Sequence, residues 1–107
     1  MTSQQKRIMI GSLIGIRAIH FTGMSDQLYY NENDTTYRFP DYTENRDHMH
    51  KAISEWEKRD FTALKTLYIN LLSVMQLHEG QEWEVVGATA EQLADAFLLA
   101  HKVDINS

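Results

Sequence analysis

The chain contains no cysteine. That absence removes thiol nucleophiles, disulfide frameworks and Cys-type zinc sites together. It also fits a reducing cytoplasm, which is the compartment expected for this chain. Proline occurs once and glycine five times in 107 residues. There is accordingly no Pro-rich or Gly-rich linker, and no phosphate-cradling glycine loop of the Walker or dinucleotide type. A Gly-x-Ser-x-Gly nucleophile elbow is missing as well. Positive charge is scarce: 10 Lys and Arg stand against 15 Asp and Glu, a formal net charge of −5. A broadly basic nucleic-acid binder does not have this balance, so no direct nucleic-acid partner is expected. Long apolar runs are missing too. Ile8–Ile16 follows Lys6 and Arg7 in the manner of a secretory signal, but Arg17 ends the run and no small-x-small cleavage site follows. The run falls short of the roughly 20 residues a membrane helix needs, so neither a signal nor a membrane anchor is expected.

Apolar residues make up 43 % of the chain, too many for an intrinsically disordered segment. The length is that of one domain, and residues 1–107 are read as such. Charge is uneven along it. Residues 1–24 hold Lys6, Arg7 and Arg17 and no acid, whereas residues 61–107 hold six acids and only Lys65 and Lys102. The acidic body is either a solvated surface or a docking face for a basic partner.

The expected fold class is mostly α: a small bundle-like domain carrying a short β-hairpin or two-strand element, with α+β as the alternative. Residues 44–58 read as a helix, because Met49, Ala52, Ile53 and Trp56 recur at i, i+3, i+4 and i+7. Thr43 or Asp41 would cap it, and Asp47–Lys51 and Glu55–Arg59 would pair along it. Residues 61–78 read as the central helix, with Asp60 as N-cap and Gly80 as a left-handed C-cap. Phe61, Leu64, Tyr68, Leu71 and Met75 form its expected core stripe, while Leu67, Ile69, Leu72, Val74 and Leu77 make other faces apolar too. Residues 83–87 suit a short strand, since Trp83, Val85 and Val86 favour one. Thr89 and Gln92 have capping-box spacing and open a helix over 89–102. Residues 4–21 fit a helix or a strand; their length favours a helix with Met9, Leu13, Ile16 and His20 on one face. Gly11 and Gly15 weaken that helix unless they allow close packing or a bulge.

Asn31–Asp34 is a polar turn between Leu28–Tyr30 and Thr35–Phe39, which suggests a hairpin. Tyr29, Tyr30, Tyr37, Phe39 and Tyr42 cluster around it with Arg38. Acids surround these rings, which disfavours a stacking platform for single-stranded nucleic acid. Tyr and Arg are enriched at protein-binding hot spots, so Tyr29, Tyr30, Tyr37, Arg38 and Tyr42 are the expected interaction surface.

Five histidines invite a metal reading: His20, His48, His50, His78 and His101. On a helix His48 and His50 diverge, so the better pair is Glu44 with His48 at i, i+4. The remaining ligands would have to come from elsewhere in the fold. His78 and His101 sit near expected helix C-termini, where the dipole favours a cation without any function. Glu82 and Glu84 would share one side of a strand. No cofactor fingerprint occurs and no cofactor is expected. The expected function is that of a small acidic non-catalytic protein that binds another protein, or a second copy of itself as a homodimer through the aromatic loop 29–42, as an adaptor, chaperone-like factor or inhibitor. A metal-binding protein or metal-dependent enzyme using Glu44 and His48 is one alternative. An acidic mimic of nucleic acid that blocks a DNA-binding protein is another.

Overall fold

A computed structural model describes residues 1–20, 27–78 and 80–106. Helix α1 spans Ser3–Leu13 and is followed by a hairpin of β1 (Tyr29–Glu32) and β2 (Thr35–Arg38). Helices α2 (Arg46–Glu57) and α3 (Ala63–Val74), a 3-10 helix (Glu82–Gly87) and α4 (Ala90–Ala100) complete the order. The fold is mostly helical with one short antiparallel hairpin, as the periodicities predict. No helix among the described residues is long and apolar enough to cross a membrane.

Local chemistry sets most helix starts. Thr2 and Gln5 form a capping box on α1, and Thr89 and Gln92 form the predicted one on α4. Asn45, rather than Thr43 or Asp41, caps α2 by accepting the His48 N–H, so α2 begins at Arg46. Along α2 the ion pair that forms is Glu55–Lys58 at 2.8 Å, not Glu55–Arg59. Asp60 does not cap α3 directly. Its Oδ1 accepts from the Thr62 N–H at 2.9 Å and the Thr62 hydroxyl at 2.6 Å, just ahead of the first turn. Those bonds hold the Asp60 carboxyl below its usual range.

Three helices end alike. In α1 the Ile16 N–H reaches the Gly11 carbonyl at 2.7 Å and the Gly15 N–H reaches Ser12 at 3.2 Å, with Gly15 at φ 94°. Leu77 and Gln76 repeat this on α3, with Gln76 at φ 55°; Val103 and Lys102 repeat it on α4, with Lys102 at φ 62°. These are Schellman endings, and only the first uses glycine. Gly80 therefore lies beyond the end of α3, which closes at Gln76.

The ambiguity over residues 4–21 resolves in both directions. The chain is helical to Leu13, and Ile19 then bridges β1 by exchanging two backbone hydrogen bonds with Tyr29. Position 21 lies outside the described residues. The inward face of α1 is Lys6, Ile10, Gly11 and Ile14, not the face of Met9 and Leu13.

Helix α4, not α3, is central. It packs against α1, α2 and α3 and buries Leu93, Ala94, Ala96, Phe97 and Leu98. Its alanines let neighbouring helices approach closely. Trp56 of α2 meets Phe97 edge-on at 5.3 Å, and the His101 ring lies 4.5 Å from both. Lys6 of α1 places Nζ 2.7 Å from Asp95 Oδ1 of α4 in a largely buried ion pair. Arg59 donates to the Ile14 carbonyl at 3.1 Å and so ties α2 to the end of α1. Residues 83–87 are not a strand. Their hydrogen bonds run locally, from Glu84 N–H to Gln81 and from Ala88 N–H to Val85.

Candidate functional site

The hairpin turns at Asn33 and Asp34, whose φ angles are 50° and 64°. Both are left-handed, as a type I′ connection between right-twisted strands requires. The register pairs Tyr30 with Tyr37 and Glu32 with Thr35. Thr36 Oγ1 also donates to Asn31 Oδ1 at 2.7 Å across the strands. No residue of either strand is buried.

An aromatic series leads from solvent into the core. Tyr37, 46 % exposed, stacks on Tyr30 at 5.5 Å. Tyr30 meets Phe39 edge-on at 6.3 Å, and Phe39 meets Tyr42 edge-on at 6.0 Å. Phe39 and Tyr42 are buried. Tyr42 therefore leaves the expected interaction surface: at 2 % exposure it is a core residue. Burial pushes its phenol well above the ordinary value, and Tyr30 adds to the shift. Burial also raises the Tyr30 phenol, with Glu32 and Tyr37 contributing.

The root of the hairpin is fixed to α1. A Cβ on Gly11 would lie 2.4 Å from Phe39 Cζ, so only glycine admits the ring there. The predicted close packing at Gly11 is thus real, but its partner is a hairpin aromatic rather than a helix. Arg7 donates to the carbonyls of Phe39 at 3.0 Å and Pro40 at 3.1 Å, with Asp41 Oδ1 3.7 Å away.

Between the hairpin, the 14–19 segment and α2 lies a cleft of about 980 Å³. Tyr30, Tyr37, Arg17, Arg38, Lys51 and Glu55 are among its lining residues. Four of the expected surface residues thus line it: Tyr30, Tyr37 and Arg38, with the buried Tyr42 behind them. Arg38 is steadied by a 2.7 Å bond from its Nη2 to Gln27 Oε1. Tyr29 is half-buried and gives its backbone groups to Ile19.

The metal candidates separate. Glu44 is exposed in the turn ahead of α2, so it is not one helical turn from His48. His48 uses Nδ1 to accept the Asp41 N–H at 2.8 Å. Among the described residues no group of three or more His, Asp or Glu side chains is placed to hold a metal ion. Glu82 and Glu84 lie on the 3-10 helix, where residues two apart point in different directions.

Phe61, Leu64 and Tyr68, expected in the core by their spacing, face solvent instead, with Ile69 exposed beside them. Phe61 is 98 % exposed, Ile69 57 %, Leu64 53 % and Tyr68 37 %. The face of α3 that turns inward is Ala63, Leu67 and Leu71. Ala63 is small enough for close approach to α4. On the neighbouring 3-10 helix Trp83 is 71 % and Val86 75 % exposed. Compared with protein-family models, curated proteins and solved structures, the chain matches none of them.

Proposed function

We propose that this chain is a small, acidic, non-catalytic interaction protein of the cytoplasm that engages another protein through its hairpin and the adjoining cleft. The observation that carries this reading is the unburied hairpin wall: Tyr37 stacked on Tyr30, beside Arg38, over a cleft of about 980 Å³. An isolated two-stranded hairpin is marginal in water. This one is held by Phe39 on Gly11 and by Arg7 on the backbone, so its outer rings arrive at a partner already ordered. Preordered Tyr rings lose little entropy on binding and desolvate a large area. The register also leaves the backbone groups of Thr36 and Arg38 facing away from β1, ready to accept an extended segment. Adaptor, chaperone-like and inhibitory roles all use such a surface.

The test is a photo-crosslinking residue placed at position 37, with position 57 on the exposed end of α2 as control, in cells that make the protein. A discrete adduct from position 37 that disappears with Tyr30→Ala supports the reading. Equal adducts from both positions, or one indifferent to Tyr30→Ala, overturn it. Circular dichroism of Tyr30→Ala confirms that the fold is retained.

A further inference from the structure

We infer that α3 is a self-association surface: two copies of the chain pack α3 antiparallel on α3 about a twofold axis near Tyr68. Helix α3 carries two adjoining apolar stripes. One is spent on α4 through Ala63, Leu67 and Leu71. The other carries Leu64, Tyr68 and Ile69, which with Leu72 cover about 140° of the helix circumference at 100° per residue, and Phe61 is exposed just ahead of the helix. Thr66, Asn70 and Ser73 make the remaining side polar, and the outer stripe is the apolar surface left in water.

The size of the face suits a second copy. Phe61 and Trp83, at 98 % and 71 % exposure, together leave roughly 300 Å² of aromatic surface in water. Leu64, Tyr68, Ile69 and Val86 extend it toward the roughly 800 Å² per partner that a stable interface buries.

The charges choose the partner and the direction. Lys65 is the only charged side chain on α3 and makes no ion pair among the described residues. The 3-10 helix that packs on α3 carries Glu82 and Glu84. Antiparallel pairing sets the Lys65 half of each helix against the C-terminal half of the other. There the negative end of each helix meets the other's cation, and the two helix dipoles oppose. The Lys65 stem adds apolar cover while its ammonium reaches the rim. Each patch supplies what the other lacks, which is the condition for an isologous contact. Parallel pairing would instead bring the two Lys65 side chains together.

Light scattering after size exclusion reads the state directly. The intact chain is expected at twice its 12.5 kDa mass. Leu64→Glu combined with Ile69→Glu, at exposed positions, is expected to give a folded monomer by circular dichroism, and Lys65→Glu to weaken association about tenfold. Tyr37→Ala leaves the mass unchanged, so failure here is distinguishable from failure of the hairpin reading. Because the chain has no cysteine, direction is read by single replacements. Tyr68→Cys should oxidise to a cross-linked dimer, whereas Phe61→Cys alone should not. A monomer at the highest soluble concentration, a dimer that survives the double glutamate variant, or self-cross-linking of Phe61→Cys in preference to Tyr68→Cys overturns the inference.

Discussion

At the scale of single residues, three positions carry more than their type suggests. Gly11 is one. Helix propensity alone would make Gly11→Ala stabilising by about 1 kcal/mol. The methyl would instead meet Phe39 at 2.4 Å, and overpacking of that kind costs about 1–3 kcal/mol. Urea denaturation should show a net loss, and Phe39→Leu in the same chain should recover part of it. Tyr42 is the second. Its folded-state phenol titrates above the ordinary 10.0, so the folded protein holds a proton that the unfolded chain releases first. This contribution is present below pH 10 and is lost as pH rises through the folded value. Tyr42→Phe should flatten the alkaline fall in stability while changing little at neutral pH. Lys6 is the third. Lys6→Ala strands Asp95 in a largely buried position and should cost about 3–5 kcal/mol. Lys6→Met with Asp95→Leu should cost less than Lys6→Ala alone. Neither role of Lys6 nor that of Arg7 could be read from spacing, because each depends on a partner more than thirty residues away.

Among the elements, what was legible is what depends on near neighbours. The Thr89–Gln92 capping box and the α2 stripe of Met49, Ala52, Ile53 and Trp56 use contacts within a turn or two, and both stand as expected. The hairpin was legible because turn residues and β-formers alternate within a dozen positions. Residues 83–87 were misread because Trp83, Val85 and Val86 favour a strand only where a ladder is available, and here the backbone bonds locally. The side of α3 that faces inward was illegible because both sides are apolar. Its length was overestimated because Gln76 adopts a left-handed conformation that usually takes glycine. A non-glycine residue there costs about 1 kcal/mol or more. Gln76→Gly and Lys102→Gly should therefore each raise the melting temperature. A Gln76→Ala control should not.

For the whole molecule, the core gathers on α4, so damage to it is shared by three neighbours. Phe97 is fully buried and touches both Trp56 and His101. Phe97→Ala should cost about 3–5 kcal/mol, a large part of the stability of a domain this size, as thermal unfolding would show. The radius of gyration is 14.5 Å, above the roughly 13 Å of a compact chain of this length. The extents of 50 × 27 × 23 Å describe an elongated body. Part of the candidate site follows from this shape. The tyrosines and Arg38 could be named from sequence, but not that Tyr42 faces the core while Phe61 faces water. That division is decided by which helix lies in the middle, and no local pattern records it.

The two tryptophans occupy opposite surroundings: Trp56 is 8 % exposed against the His101 ring, and Trp83 is 71 % exposed. The protein therefore carries its own pair of optical labels. Trp56 should emit at short wavelength. Trp83 should emit at long wavelength and answer freely to acrylamide. Loss of that quenching on concentrating the sample would report the covering of the α3 side.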